Sequence, residues 1–362
     1  MRFLNYCMSI KRDYICGVPF TAIEVHEHNS FLCCPSWLTK FLPKGVGVRD
    51  SWNSDEAKDI RDSILDGSYR YCDSIQCPFL HKMDSDKSYE LSNPLYDKEN
   101  SPNDLHNAIQ SHKNNEEYSP TAVQFSFDRT CNLKCPSCRI DLIVGDRKKI
   151  KSVKATIDEI ENEYADDIKV LYITGSGDPF ISVGFRDFLR NFNPKKYPKL
   201  EKIHLHTNAT KWNNEMWDSM KSIHPYVKSC EISIDAATKD TYENKTRIGG
   251  NWDELINNLK FIATLPNLVR IKPSFVVQNH NYKEMKLFYD MMFKLFGKKS
   301  NIFFGKINNW GTFSNEEFLE HQVWNPNHKN YSDFIEEVNR TLPANYCFHN
   351  LYEFIQPTKS II

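Results

Sequence analysis

From residue 120 onward, short apolar runs alternate with stretches whose apolar residues recur at helical spacing. The runs are Val123–Phe127, Lys169–Ile173, Lys202–His206, Ser229–Ile234, Arg270–Val276 and Asn301–Lys306. Between them, Thr156–Tyr164, Asn214–Ile223, Trp252–Ala263 and Tyr282–Leu295 read as amphipathic helices. Thr156 followed by Glu159 has the form of a helix-opening cap. Strand–helix alternation of this kind predicts an α/β fold with a parallel sheet and helices outside it. Six such units fall short of the eight of a closed barrel. A partial (β/α)6 TIM-like barrel and an open doubly wound sheet both fit residues 120–310. Residues 311–362 look mainly helical, over Asn315–His321 and Tyr331–Thr341. Residues 81–119 are polar, broken by Asn93-Pro and Asn100-Ser-Pro-Asn, and read as a linker. No internal repeat or low-complexity tract is present.

Composition narrows the class. The 362 residues are 40% hydrophobic and 26% charged, as in a globular protein with a substantial core. Net charge is -1, from 46 basic and 47 acidic residues, so nothing points to nucleic acid or an anionic membrane as partner. No apolar run approaches the roughly 20 residues of a membrane span. Lys11, Arg12 and Asp13 interrupt the start as no signal peptide would be interrupted. The expectation is a cytoplasmic protein. Eleven cysteines are many for a reducing compartment, and six lie within residues 1–80. Clustered cysteines there suggest metal rather than disulfides, and a small Cys-rich N-terminal domain.

The strongest motif is Cys131-Asn-Leu-Lys-Cys135-Pro-Ser-Cys138, just after the first run of the alternating region. Thiolates are soft ligands, suited to zinc or iron–sulfur clusters. A structural zinc site is closed by four ligands. Three thiolates on a [4Fe–4S] cluster leave one iron open. The other reading is a zinc knuckle with its fourth ligand elsewhere. C-x3-C-x2-C in this setting resembles the signature of the radical S-adenosylmethionine (SAM) superfamily. The resemblance implies that the open iron binds the amino and carboxylate groups of SAM, that an electron cleaves it, and that the 5′-deoxyadenosyl radical abstracts hydrogen from a substrate.

Later segments extend the resemblance. Thr174-Gly-Ser-Gly-Asp-Pro-Phe180 follows the second strand, and Ser176, Gly177, Asp178 and Pro179 are similar to the family's GGEP-like turn for the SAM amino group, with Ser and Asp in place of Gly and Glu. A plain β–α turn is the alternative. His206-Thr-Asn208-Ala resembles the family's Thr-Asn-Gly segment. Glu231-Ile-Ser233-Ile-Asp235, followed by Arg247-Ile-Gly-Gly, resembles the segment in which Ser233 and Arg247 would contact the SAM carboxylate or ribose. An arginine fork suits a carboxylate. By strand alternation Cys230 lies on the face opposite residues 231, 233 and 235, as a packing residue. Val277 and Asn279 are placed near the adenosine. Lys306, Asn308 and His206 are substrate-side candidates.

Cys16, Cys33 or Cys34, Cys72 and Cys77 form a second constellation, together with Trp52 and Arg61-Asp-Ser-Ile-Leu-Asp-Gly67. It resembles the SPASM or twitch extension of radical SAM proteins, set before the barrel rather than after it. That implies an auxiliary [4Fe–4S] cluster with no open iron; the alternative is a four-cysteine zinc staple. His26 and His28, at alternating spacing beside the Cys pair, read as surface residues. The resemblance as a whole implies a radical SAM enzyme of the oxidoreductase or epimerase type. Its substrate is expected to be a sugar or other small molecule, with a ribosomally made peptide as the alternative, and its reductant a flavodoxin or ferredoxin. A non-catalytic electron carrier and a zinc-stapled interaction protein are the readings outside enzyme chemistry.

Overall fold

The computed structural model describes residues 14–73, 77, 79, 80, 95–97, 102–341 and 350–354. Cys7 and Cys347, residues 81–94 and 98–101 of the expected linker, and the last residues of the helical tail lie outside these. The chain divides into two compact units. One holds residues 1–127, 154–172 and 194–201, the other residues 128–153, 173–193 and 202–362.

In the first unit, strand β1 (Tyr14–Cys16) pairs antiparallel with β4 (Leu95–Asp97). Strand β2 (Ala22–Val25) lies between β3 (Ser30–Phe31), antiparallel to it, and β5 (Ala122–Phe125), parallel to it. The register sets Ala22 opposite Ala122 and Val25 opposite Phe125. Beyond β5 comes β6 (Val170–Ile173). The sequence pattern gives residues 1–80 a domain of their own. The structure instead joins β2 to the first strand of the alternating region. His26 and His28 fall in the turn between β2 and β3 rather than within a strand.

The polar stretch 81–119 also needs correction, because it contains a helix, Asn103–Lys113. Its stripe is narrow: only Leu105, Ala108 and Ile109 are apolar and buried among polar neighbours. They pack with Ile15, Phe20, Ile64 and Tyr69, and Cys16 and Cys72 border the same cluster. Arg61 is buried on the helix Asp55–Leu65; it donates to the carbonyls of Pro19 and Trp52, at 2.9 Å each, and lies over the Trp52 ring. These bonds tie the chain at Pro19 and Trp52 to the helix Asp55–Leu65. The helix Arg147–Tyr164 starts well before Thr156, which is interior rather than a cap.

In the second unit, β7 (Lys202–Thr207), β8 (Val227–Ser233), β9 (Arg270–Val277) and β10 (Phe303–Lys306) lie side by side in that order, all parallel. One face carries Ile203, Leu205, Cys230, Ile232, Ile271, Phe275 and Phe304, all buried. Helices such as Trp252–Ala263 and Met285–Phe296 connect the strands, as parallel pairing requires. The tail helices occupy Asn315–His321, opened by a capping box of Ser314 and Glu317, and Tyr331–Thr341. The fold is mixed α/β with a parallel sheet, consistent with a partial TIM barrel. Among the described residues no helix is long and apolar enough to cross a membrane.

Candidate active site

The loop after Phe127 carries the three cysteines and is held from several sides. Asp128 accepts from the Thr130 amide and hydroxyl and from the Ser182 hydroxyl. The Cys131 amide donates to the Ile143 carbonyl, and the Lys134 amide to that of Ile248. Gly177 of the Thr174–Phe180 turn packs on this loop so closely that a Cβ would stand 2.3 Å from the Asp128 carbonyl oxygen and 2.7 Å from that of Thr130. No other residue fits there.

The C-terminal ends of three strands carry unusual backbone. Thr174, Ala209 and Asp235, just past β6, β7 and β8, all have positive φ, at 68°, 58° and 61°. Non-glycine residues rarely adopt this region, and such strain gathers where a site needs its backbone placed against preference. A π-helical turn, Tyr242–Thr246, then delivers Arg247.

Together these elements form a cavity of about 470 Å³, open mouth included, lined by Cys131, Cys135, Cys138, Arg139, Gly175–Gly177, His206–Asn208, Ser233 and Arg247. Each cysteine sulfur has its own side-chain N–H donor. Asn208 Nδ2 lies 3.5 Å from the Cys131 sulfur, Arg247 Nη1 3.5 Å from that of Cys135, and Arg139 Nη2 3.4 Å from that of Cys138. Burial pushes the Cys131 thiol up to about 11 and raises that of Cys135, against the pull of Arg139 on the first and Arg247 on the second. Arg139 also donates to the carbonyls of Arg129, at 2.8 Å, and Ser176, at 3.1 Å, linking the cysteine loop to the glycine turn.

Arg247 pairs with buried Asp235 at 2.7 Å. Asp235 in turn accepts from the Val276 amide. Burial opposes Asp235's charge and raises its pKa, Arg247 acting the other way. The Nε of Arg247 is a buried donor with no hydrogen-bond partner among the described residues.

Of the residues expected from sequence, Ser176, Gly177, Asn208, Ser233, Arg247, His206 and the three cysteines line this cavity. Asp178 does not. Its carboxylate is buried and accepts from the Thr207 hydroxyl, the Asn208 amide and the Phe180 amide, so it braces the turn beneath the cavity wall. Asp235 likewise acts through Arg247. Pro179 and Val277 are buried, and Asn279 accepts from Asn330. Lys306 and Asn308 are exposed and stand outside the lining. Arg139 went unnoticed in the sequence, although a cation directly after the third cysteine was a signal. Cys230 is buried on the helix-covered face, its thiol pushed up by that burial.

In the first unit, burial pushes the thiols of Cys16 and Cys72 up to about 12 and raises those of Cys33 and Cys77. Neighbouring thiols add to it: Cys77 acts on Cys16, Cys16 and Cys77 act on Cys33, and the same two act on Cys72. Cys34 contacts the Ser36 hydroxyl, 3.1 Å away, and Cys77 acts on its thiol as well. Among the described residues, no three His, Cys, Asp or Glu side chains are gathered as around a single metal ion. What suits the triad to a cluster is its donor chemistry: three soft thiols, a donor at each sulfur, and two guanidinium groups against the negative charge that thiolates bring.

Residues 125–288 match the family model described as the radical SAM superfamily. Among solved structures, the chain is similar to anSMEcpe with bound AdoMet (18% identity, 53% of this chain and 51% of that one, TM-score 0.40). It is also similar to SuiB of Streptococcus suis bound to precursor peptide SuiA (13% identity, 94% and 72%, TM-score 0.42). The chain thus spans about half the length of the first of these. No curated protein matches it. The cysteine motif, the glycine turn and strands β6 to β9 all lie within the residues that match this family model.

Proposed function

We propose that this chain is a radical SAM enzyme in which Cys131, Cys135 and Cys138 hold a [4Fe–4S] cluster, and that it oxidises or epimerises a sugar or other small alcohol. When bound, such a cluster supplies the electron that cleaves SAM and so furnishes a 5′-deoxyadenosyl radical for hydrogen abstraction. Asn208, Arg247 and Arg139 stabilise the thiolates by charge and hydrogen bonding. The backbone of Gly175–Gly177 offers carbonyl oxygens for the SAM amino group. Ser233 and Arg247 meet its carboxylate, and Arg247 Nε gains the partner it lacks. The observation that carries the reading is the single N–H donor at each of the three sulfurs, beside an arginine with an unused buried donor.

Cys16, Cys33, Cys72 and Cys77 are proposed as ligands of a second, fully coordinated cluster that relays an electron. Their mutual effect on one another's thiols supports a shared site.

The test is metal content after anaerobic purification and reconstitution, followed by SAM and dithionite and a measurement of 5′-deoxyadenosine. Wild type should hold roughly eight irons and a Cys131/Cys135/Cys138 triple-alanine variant about four. Only the wild type should cleave SAM. One or two zincs, about what structural sites would hold, with no iron and no cleavage, would mean the cysteines are structural.

A further inference from the structure

The strands of the second unit have a second face, and it is not built as a core. Opposite the buried apolar side, β7 presents His204 and His206, β8 Ser229, Glu231 and Ser233, and β9 Lys272 and Ser274. The register puts three of these in one row across the strands, with His206 opposite Glu231 and Glu231 opposite Lys272. Lys272 Nζ lies 3.0 Å from Glu231 Oε2, and His206 Nε2 lies 4.0 Å from Glu231 Oε1 and 3.0 Å from the Ser233 hydroxyl. The side chains are 32%, 18% and 31% exposed for His206, Glu231 and Lys272, so the row is neither sealed nor on an open surface. His206 and Ser233 also line the cavity that holds the three cysteines.

Packing does not ask for this row. A sheltered carboxylate–ammonium pair loses much of its attraction to desolvation, and apolar residues of similar size commonly serve stability as well or better. Burial opposes the charge on Glu231, but the Lys272 ammonium beside it outweighs this and holds the carboxyl down to about 2. Burial also keeps His206 below its usual range, hence neutral, with one donor and one acceptor nitrogen. The row is therefore one anion, one cation and one neutral imidazole, with no net charge. A charged ligand would leave part of it uncompensated. Vicinal hydroxyls match it: one O–H donates to the carboxylate while the neighbouring oxygen accepts from the ammonium.

We infer that the His206–Glu231–Lys272 row is the substrate-holding site of this enzyme and that its ligand is an uncharged small molecule bearing adjacent hydroxyl groups. This rests on the radical SAM reading and gives its substrate class a place in the fold.

The experiment uses the reconstituted full chain with SAM and dithionite, challenged with the small-molecule fraction of a cell extract. The readout is 5′-deoxyadenosine formed above the rate without extract. One portion is pretreated with periodate, which cleaves vicinal diols, with excess reagent destroyed before SAM is added; another is pretreated with protease. The expected result is stimulation that survives protease and disappears with periodate, and that falls at least 10-fold in Glu231→Gln and in Lys272→Met. Iron content and the visible spectrum report whether the variants have folded. Stimulation that resists periodate, that protease removes, or that both variants retain overturns the inference, as does no stimulation at all. Wild type that cleaves no SAM under any condition overturns the underlying reading instead, so the two failures are distinct.

Discussion

The two cysteine groups of this chain differ in what surrounds the sulfur. At Cys131, Cys135 and Cys138 every sulfur meets a side-chain N–H, two of them from arginine. At Cys16, Cys33 and Cys72 the influences raising the thiol pKa are burial and other thiols, opposed at Cys16 and Cys33 by backbone hydrogen bonds. Cys16 and Cys72 border an apolar cluster of Ile15, Phe20, Tyr69 and Leu105. Identical ligands thus sit in two electrostatic settings. Cations and amides beside the triad favour added negative charge, as SAM binding and reduction demand. An apolar, cation-poor wall penalises charge and suits a site that stays closed.

The largest effect should come from the apolar-walled group. With the proposed second cluster bound there, Cys72→Ala should release it and lower the stability of the first unit by several kcal/mol, since a closed thiolate site contributes directly to folding. Metal analysis with thermal melting decides it. Unchanged melting with about half the iron lost would show that the second cluster adds nothing to folding. At the triad, Arg247→Lys should weaken SAM binding about 100-fold by replacing the arginine fork with a point charge, while leaving the triad's iron in place. Lysine keeps a cation beside Asp235, whereas alanine would strand that carboxylate. Equilibrium dialysis with SAM reads the affinity; loss of iron would show that Arg247 serves the cluster rather than SAM.

Arg139 gives a smaller and more specific effect. Arg139→Gln removes a cation 3.4 Å from the Cys138 sulfur. A charge-assisted hydrogen bond of about 1.5 kcal/mol corresponds to roughly 60 mV for a one-electron couple, so the triad cluster's midpoint should become about that much more negative. An EPR-monitored redox titration measures it, with the other group as internal reference. An unmoved midpoint would confine Arg139 to joining Arg129 and Ser176.

Most of what repeats along the chain was legible in the sequence. All six strands of the alternating region, and the helices Trp252–Ala263, Asn315–His321 and Tyr331–Thr341, lie where periodicity sets them, because one buried face writes a regular pattern. What escaped depends on contacts between distant segments. The pairing of β2 with β5 joins residues about a hundred positions apart, and no local pattern announces it. The helix Asn103–Lys113 hides behind a three-residue stripe. A carboxylate in a glycine turn looks like a ligand, but Asp178 Oδ2 accepts from both Thr207 and Asn208 at the end of the next strand, and its Oδ1 from the Phe180 amide. Glu231 and Lys272 read as ordinary charged strand residues until the register brings them together.

The smallest effect separates the two units by pH. His204, on the polar face of β7, contacts the Ser229 hydroxyl at 2.8 Å, and burial holds its pKa down to about 3. The unfolded value is about 6.5, so below that pH the unfolded chain binds the proton that the folded chain refuses. Stability contributed by the neutral imidazole is complete above about 6.5 and is lost progressively as pH falls toward about 3. Between pH 7.5 and 5.5 the loss from this one residue is about 1 kcal/mol. His204→Asn keeps a hydrogen-bonding partner for Ser229 but does not titrate, so it should remove that slope. Amide exchange of β7 to β9, corrected for intrinsic pH dependence, should show the loss in wild type and not in the variant. Amides around Ile15, Phe20 and Leu105 in the first unit should respond alike in both proteins. Equal slopes at β7 to β9 would show that His204 is not the group through which acid acts on these strands.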